Sequence, residues 1–562
     1  MTTFGMRCPS PRYFADFGRA RTTDIWPDIP VQGANVAVNS FLRAFLRHGQ
    51  VDQYWFFAPP SSVERIKQAI KEETSRSRVP AGIGVGSFSS LVDEFGGYGF
   101  THWLDLSCSF EAPSSLRKKL SSRPFPIIVT HHSISYPWML RGLFMPMVLS
   151  QSYPFDAIVC TSAAARTAIV RLLDRLSIDL KRELGIDARF SGRIEVIPLG
   201  VDTEKFRPRQ KEAARRQVGL PKNAFIILYL GRLSAVDKAD LTPFLRLFAG
   251  LVKSNPKKKL LFVVASARAG PYLDTLIRCA RESGIGKNVR FIVIPDNPAV
   301  LYCAADIFVS PVDNIQESFG LSVVEAMACG IPQVVSDWNG YRDTVVDGET
   351  GFLVPTLWMQ CDEDLVEAAP LFDGEGTFDH VSLAQSVAID LRAYRDRLQL
   401  LIDDAEMRAA MSLHSRERAL NCFSWPAVMR RYQSLWTELG TMAAAAICVP
   451  NSSASSMHPR YYDVFGHFAS HSVTAATRLR ITTAGRRARP AASPEYEIAE
   501  EWKLLDQDLL RGALGLLRRQ ELDRETLVDR LVSISRSRAH HRHFIYRHVM
   551  WLLKHGFIEA CD

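Results

Sequence analysis

At 562 residues, with 47% hydrophobic and 23% charged residues, the chain exceeds what one core can organise and reads as two to four globular domains. Its 68 Lys and Arg against 60 Asp and Glu leave a formal charge of +8, which suits anionic ligands and falls short of a dedicated nucleic-acid binder. The 10 cysteines stand singly with no CxxC pair, so a zinc ribbon or dithiol redox motif is excluded and reduced cytosolic thiols are expected.

The start, MTTFGMRCPSPRYFADFGRA, lacks the continuous apolar core of a signal peptide. No run reaches the roughly 18 apolar residues of a membrane span. From 30 to 200, short apolar runs that end in turn residues (QYWFFAPP, FPIIVTHH, DAIVCTS, RIEVIPLG) alternate with helical patterns such as SAAARTAIVRLLDRL. From 222 to 355 the alternation is clearer: AFIILYLGR, LLFVVA, VRFIVI, DIFVSP, IPQVVS and GFLVP read as strands, with helices between them. Runs apolar on both faces, joined by helices, predict parallel sheets of Rossmann type, whose ligands sit beyond the carboxyl ends of the strands. The fold class is therefore α/β, with two facing Rossmann-like domains and a cleft between them.

After about 440 the chain turns small and polar, then rich in Arg, Pro and Ala around a strand-like TRLRITT, and ends in helical periodicity. The predicted domains are 1–205, 206–422, a helix over 423–440 crossing back to the first domain, irregular chain over 441–495, and a mostly helical module over 496–562. Within that module AHHRHFIYRHVMW gathers His540, His541, His543 and His548. Their spacing favours a basic surface over a metal site, and no metal is expected. The DQD at Asp506–Asp508 reads as a solvated helical face.

The densest chemistry lies in ESFGLSVVEAMACGIP, residues 317–332. Gly320 opens a helix whose first amides, with the helix dipole, form an anion site, and Gly320 itself admits close approach of a phosphate. Glu325, one turn inside, is placed to accept hydrogen bonds from two hydroxyls, as on a ribose. Glu317, in the loop before the helix, faces whatever extends beyond the phosphate. Sugar, diphosphate and ribose is a ligand order that fits. Singly, two glutamates would be solvated acids; the context of GRLSAVDKAD adds Arg232 and Lys238 after a strand, a planar fork and a point charge suited to a diphosphate.

From roughly 30 to 440 the chain resembles the retaining family-4 glycosyltransferases of GT-B architecture. The resemblance is carried by VIPLGVDTEKFRP, GRLSAVDK, CAADIFVSPVDNIQESFGLSVVEAMACGIPQVVSD and DTVVDGETGFLV, with the E-x7-E pair Glu317 and Glu325. It implies that Glu317 holds the transferred sugar and Glu325 the ribose. Amides of Phe319, Gly320 and Leu321 would hold phosphate, and Arg232 and Lys238 the diphosphate. FPIIVTHHSISYP resembles the strand that ends in a histidine near the reaction centre, and alignment on Thr130 favours His132 over His131. PVQGANVAVNSFLRAFLRHG offers one glycine, Gly33, for the first domain's glycine loop, with no obvious strand before it.

The implied activity is retaining transfer of a sugar from a nucleotide sugar to a glycan, lipid-linked or other hydroxyl acceptor, without metal or other cofactor. A phosphorylase or hydrolase on the same fold and a non-catalytic sugar-nucleotide binder are the alternatives. The expected partners are the nucleotide sugar and that acceptor, not nucleic acid. The expected location is the cytoplasm, with peripheral contact at the inner membrane face.

Overall fold

The computed structural model describes residues 1–8, 33–75, 82–267, 270–368, 377–446, 460–489, 496–497, 505–534 and 542–561. The first domain is built on seven parallel strands: β1 (Thr3–Arg7), β2 (Gln53–Ala58), β3 (Gly82–Ser87), β4 (His102–Asp105), β5 (Ile127–Thr130), β6 (Ala157–Cys160) and β7 (Arg193–Val196). They lie in the order β3-β2-β1-β4-β5-β6-β7. A strand does precede Gly33, contrary to the expectation. It escaped notice because TFGMR is only five residues long and carries a glycine and an arginine. Packing, not propensity, holds it: a Cβ on Gly5 would lie 2.6 Å from the Trp103 ring, so only glycine lets β1 pair with β4 there. Gly33 itself is the first residue of helix α1 (Gly33–His48), and the loop before it lies outside the described residues. Helix α2 (Ala163–Leu184) follows β6.

The second domain has six parallel strands: β8 (Phe225–Leu230), β9 (Leu260–Ser266), β10 (Val289–Val293), β11 (Ile307–Ser310), β12 (Gln333–Ser336) and β13 (Gly351–Val354). Their order is β10-β9-β8-β11-β12-β13. All six coincide with the runs identified in the sequence, and β9 is buried at every residue. Helix α3 (Leu321–Ala328) joins β11 to β12. A two-stranded ribbon, β14 (Thr356–Leu357) with β15 (Ala388–Ile389), brackets helix α4 (Thr377–Ala384). Helix α5 (Trp425–Ala444) returns to the first domain, where its Trp425, Tyr432, Trp436 and Leu439 share a core with Phe41 and Phe45 of α1. His102 Nε2 lies 2.9 Å from the Trp436 carbonyl and fixes that crossing.

One buried ion pair organises the edge between β5 and β6. Arg117 donates to Asp156 at 2.6 and 2.8 Å and to the Phe125 carbonyl at 2.7 Å, while Asp156 accepts the Ile127 and Tyr153 amides, each at 2.8 Å. The Tyr153 ring lies 4.7 Å from the guanidinium. With every carboxylate contact occupied, loss of one partner leaves a buried charge. Arg117→Ala is expected to lower unfolding stability by about 3–5 kcal/mol, read from urea or guanidinium midpoints.

The tail is mostly helical, as expected, and also carries a small sheet. β16 (Arg478–Ile481), β17 (Leu522–Asp523) and β18 (Ile558–Cys561) form an antiparallel sheet in the order β17-β16-β18. Helices α6 (Gln507–Leu517), α7 (Arg524–Ile534) and α8 (Arg542–Lys554) pack on it around their own core of Leu510, Leu527 and Leu552. β16 lies within the stretch expected to be irregular, so the module starts before 496. Asp506 caps α6 by accepting the Asp508 and Leu509 amides at 2.7 and 3.3 Å, which gives the DQD a structural role. His548 is a satisfied core residue, accepting the Asp506 amide at 2.7 Å and facing the Phe544 carbonyl at 2.8 Å. His540 and His541 lie outside the described residues. Because this core is a separate cluster, a chain ending at Ala446 is expected to fold and to bind nucleotide with unchanged affinity; an insoluble or nucleotide-blind product of that truncation would place the tail inside the folding unit.

Candidate active site

In the second sheet the chain runs outward in opposite directions from β8 and β11, which are neighbours. The loops leaving their carboxyl ends flank the point where the winding reverses, the place where open α/β sheets bind ligands. The loop after β8 carries Arg232 and Lys238, and the loop after β11 carries Glu317 and leads into α3. Two motifs about 85 residues apart in sequence are brought to one edge by that topology.

The turn before α3 is fixed sterically. Gly320 has φ 95° and ψ 64°, and a Cβ there would sit 2.2 Å from Tyr341 Cε1. Both the left-handed backbone and the ring exclude any other residue. Phe319 is buried, and its amide donates to Glu317 Oε1 at 3.3 Å. Leu321 begins the helix. Lys238 Nζ forms a short ion pair with Glu317 Oε2. Burial pushes the Glu317 carboxyl up, but Lys238 with the Phe319 and Gly320 amides outweighs this and holds it below its ordinary range. Arg232 is paired to Asp237 at 2.7 Å, and Asp237 also accepts the Ser234 hydroxyl at 2.6 Å. Both cations thus have a carboxylate partner.

Glu325 lies one turn into α3, where the Tyr302 hydroxyl donates to it at 2.7 Å. Burial raises its carboxyl to about 7, against the opposing pull of Tyr302 and Lys205. Burial also pushes Asp313 up to about 8; the Asp240 amide, which faces both Asp313 oxygens at 3.3–3.4 Å, opposes this, while the Asp240 negative charge adds to it.

The first domain closes the other side. The Ser162 hydroxyl donates to the Ser318 carbonyl at 2.8 Å, and the Ala163 amide at the start of α2 donates to Asp343 at 2.5 Å. Gln316 donates to the Ser133 hydroxyl at 2.8 Å and accepts from the Ser135 hydroxyl at 2.5 Å. Of the two histidines after β5, His131 is fully buried and accepts the Thr161 amide at 3.2 Å. His132 keeps a buried Nε2 without a partner among the described residues, and burial lowers its pKa to about 4. His131 Nδ1 is likewise buried without a partner among the described residues. Gly33 is at the end of α1 nearest the second domain, since Ala37 one turn on belongs to that domain's core.

Residues that sequence reasoning did not single out include Tyr302, Asp237, Asp313 and Gln316. Asp237, Asp313 and Gln316 lie inside the quoted motifs and Tyr302 just before one, but none has a spacing signal of its own. Among the described residues no group of three or more His, Cys, Asp and Glu is gathered to hold a metal ion, and no helix is long and apolar enough to cross a membrane.

Residues 210–367, within the second domain, match the family model of glycosyl transferases group 1. D-inositol 3-phosphate glycosyltransferase 2 of Catenulispora acidiphila is 37% identical over 197 residues, covering 34% of this chain and 44% of that protein. The D-inositol 3-phosphate glycosyltransferase of Corynebacterium efficiens is 29% identical over 347 residues, covering 56% of this chain and 72% of that protein. The match thus spans under half the length of the first relative and about three quarters of the second. The solved structure of the Anabaena protein HepE in complex with UDP is 16% identical, covers 78% of this chain and all of that one, and superposes with a TM-score of 0.50, a likeness of fold.

The raised Glu325 carboxyl predicts a pH dependence of nucleotide binding. A carboxylate accepts hydroxyl hydrogen bonds more strongly than the neutral acid does, so a ligand whose hydroxyls donate to Glu325 would favour the ionised form. Affinity for a nucleoside diphosphate should rise between pH 6 and 8 with proton release on binding. Glu325→Ala should weaken it by about ten- to a hundredfold, as loss of a charged hydrogen bond requires, and remove the pH slope. Calorimetry in two buffers of different ionisation enthalpy reads both effects.

Proposed function

We propose that this chain is a retaining glycosyltransferase, taking a sugar from a nucleoside-diphosphate sugar to a hydroxyl acceptor. The observation that carries the reading is the meeting of Lys238, Arg232, Glu317 and the start of α3 at the reversal between β8 and β11. Glu325 takes the ribose hydroxyls. The amides of Phe319, Gly320 and Leu321, with Arg232 and Lys238, take the diphosphate, which displaces Asp237 and Glu317 from the cations. Glu317 then turns to the sugar, and the unpartnered His132 Nε2 meets the sugar from the first domain. The solved fold relative holds UDP and the curated relatives are named for an inositol phosphate acceptor, which supports a nucleotide sugar as donor and a polyol, glycan or lipid-linked hydroxyl as acceptor.

In the transfer, the bond from the anomeric carbon to the phosphate oxygen breaks with its electron pair on the diphosphate. The acceptor hydroxyl attacks from the same face, and its proton passes to the departing phosphate oxygen. Negative charge that grows on the leaving group is met by Arg232, Lys238 and the helix amides, and no metal is required. Glu317, held ionised, stabilises the positive charge on the sugar.

Glu317→Gln should therefore lower turnover by about 10²–10³, the usual magnitude for a group acting on transition-state charge, while leaving nucleoside-diphosphate affinity within about threefold. Equal losses in turnover and bare-nucleotide affinity would remove Glu317 from the sugar. Arg232→Ala should cut turnover comparably, and the parent rate should survive a chelator; strict dependence on a divalent ion would contradict leaving-group stabilisation by side chains.

A further inference from the structure

Helix α4 belongs to none of the motifs, yet it reaches across the cleft. Its buried His380 is 1% exposed. Its Nε2 lies 3.2 Å from the Ser135 carbonyl, and its ring packs on Tyr136 with centroids 4.5 Å apart. Both partners belong to the 131–136 loop of the first domain that carries His132. Burial lowers the His380 pKa, opposed by the Ser135 carbonyl, Asp237 and Asp379, so the ring is neutral with an N–H to donate. The Tyr136 hydroxyl is also near enough to Asp237, the partner of Arg232, for that carboxylate to add to the upward push that burial gives its pKa. Just beyond α4, Gln385 donates to Asp240 at 3.4 Å, which joins the same helix to the loop after β8.

A continuous chain of contacts therefore runs from Arg232 through Asp237, Tyr136 and His380 to the Ser135 carbonyl, spanning both domains. The 131–136 loop is gripped on one side by Gln316 and on the other by His380. A loop held on one side alone can rock and admit water; held on both sides it closes over the phosphate cations. We propose that His380 is a positioning residue of the transfer site, holding the 131–136 loop shut over the Arg232–Asp237 pair and so limiting hydrolysis of the donor by water. The inference rests on reading the cleft as a donor site. In the side reaction water takes the acceptor's place: its oxygen bonds to the anomeric carbon, the phosphate ester bond breaks, and the proton leaves with the diphosphate.

The experiment compares the parent with His380→Ala and His380→Gln, the second of which keeps an N–H for Ser135. Hydrolysis of UDP-glucose, GDP-mannose and ADP-glucose is followed without acceptor, nucleoside-diphosphate affinity by calorimetry, and the radius of gyration of the nucleotide-free chain by small-angle scattering. His380→Ala should raise hydrolysis by about fivefold, the factor corresponding to one neutral hydrogen bond, and enlarge the radius. His380→Gln should stay within about twofold of the parent, and nucleotide affinity should be unchanged in all three. A merely structural role would lower hydrolysis and affinity together. Unchanged or falling hydrolysis in His380→Ala, or Gln behaving as Ala, overturns the proposal. If the parent neither binds nor hydrolyses any of these nucleotides, the donor reading fails instead, and an unchanged radius in His380→Ala then overturns the latch separately.

Discussion

The turn Ser318–Gly320 is the constraint on which the cleft depends. Its last residue must be glycine, because the backbone is left-handed and the Tyr341 ring occupies the place of a side chain. Its first residue gives its carbonyl to Ser162 of the first domain. A turn clamped by a ring from its own domain and a hydroxyl from the other can take only one path. That path aims Glu317 back at Lys238 and at the Phe319 amide ahead of α3. The relation between the two domains is thus written into the same few residues that present the anion site, so a shift in one displaces the other.

The charges around that turn nearly cancel. Arg232 and Lys238 are each matched by a carboxylate, and Asp240 and Asp313 lie close by. With Asp313 raised to about 8, one of the four carboxyls is neutral at pH 7, which spares the site a further unit of negative charge. Asp237 and Glu317 keep both cations paired, Lys238 well buried and Arg232 partly exposed. On the proposed reading, an arriving diphosphate would exchange one set of anionic partners for another. Specificity then comes from geometry at the helix start more than from net attraction, while the chain's overall excess of basic residues serves encounter.

The second domain was legible in the sequence strand by strand, because its strands are buried on both faces and separated by amphipathic helices, the pattern that periodicity reads best. The first domain was legible only in part. β1, β3 and β4 are short, rich in glycine or carry polar residues; Trp103 of β4 packs against Gly5 of β1 and Trp55 of β2 against Gly84 of β3, which is information held elsewhere in the chain. At the site, residues inside a motif could be named in advance, and Arg232, Lys238, Glu317 and the α3 amides do come together. Asp237 lies within the same motif, but its role as Arg232's partner has no signature. Gln316 and Tyr302 matter through what they touch across the fold, and no spacing rule reports that. In the tail the strand-like TRLRITT is β16, but its partners went unread because β17 has two residues and β18 four.

Those same limits explain where this chain adds to a shared scaffold. The sheet and the α3 turn are dictated by local rules, glycine geometry and strand burial, and are correspondingly easy to recognise. The α4 segment between β14 and β15 obeys no such rule: an eight-residue helix is marginal by itself and persists through tertiary contacts. Its contacts run to the first domain's 131–136 loop and to the loop after β8. Because part of what orders α4 comes from the other domain, opening the cleft would remove those contacts and loosen the helix, which couples its order to closure of the cleft.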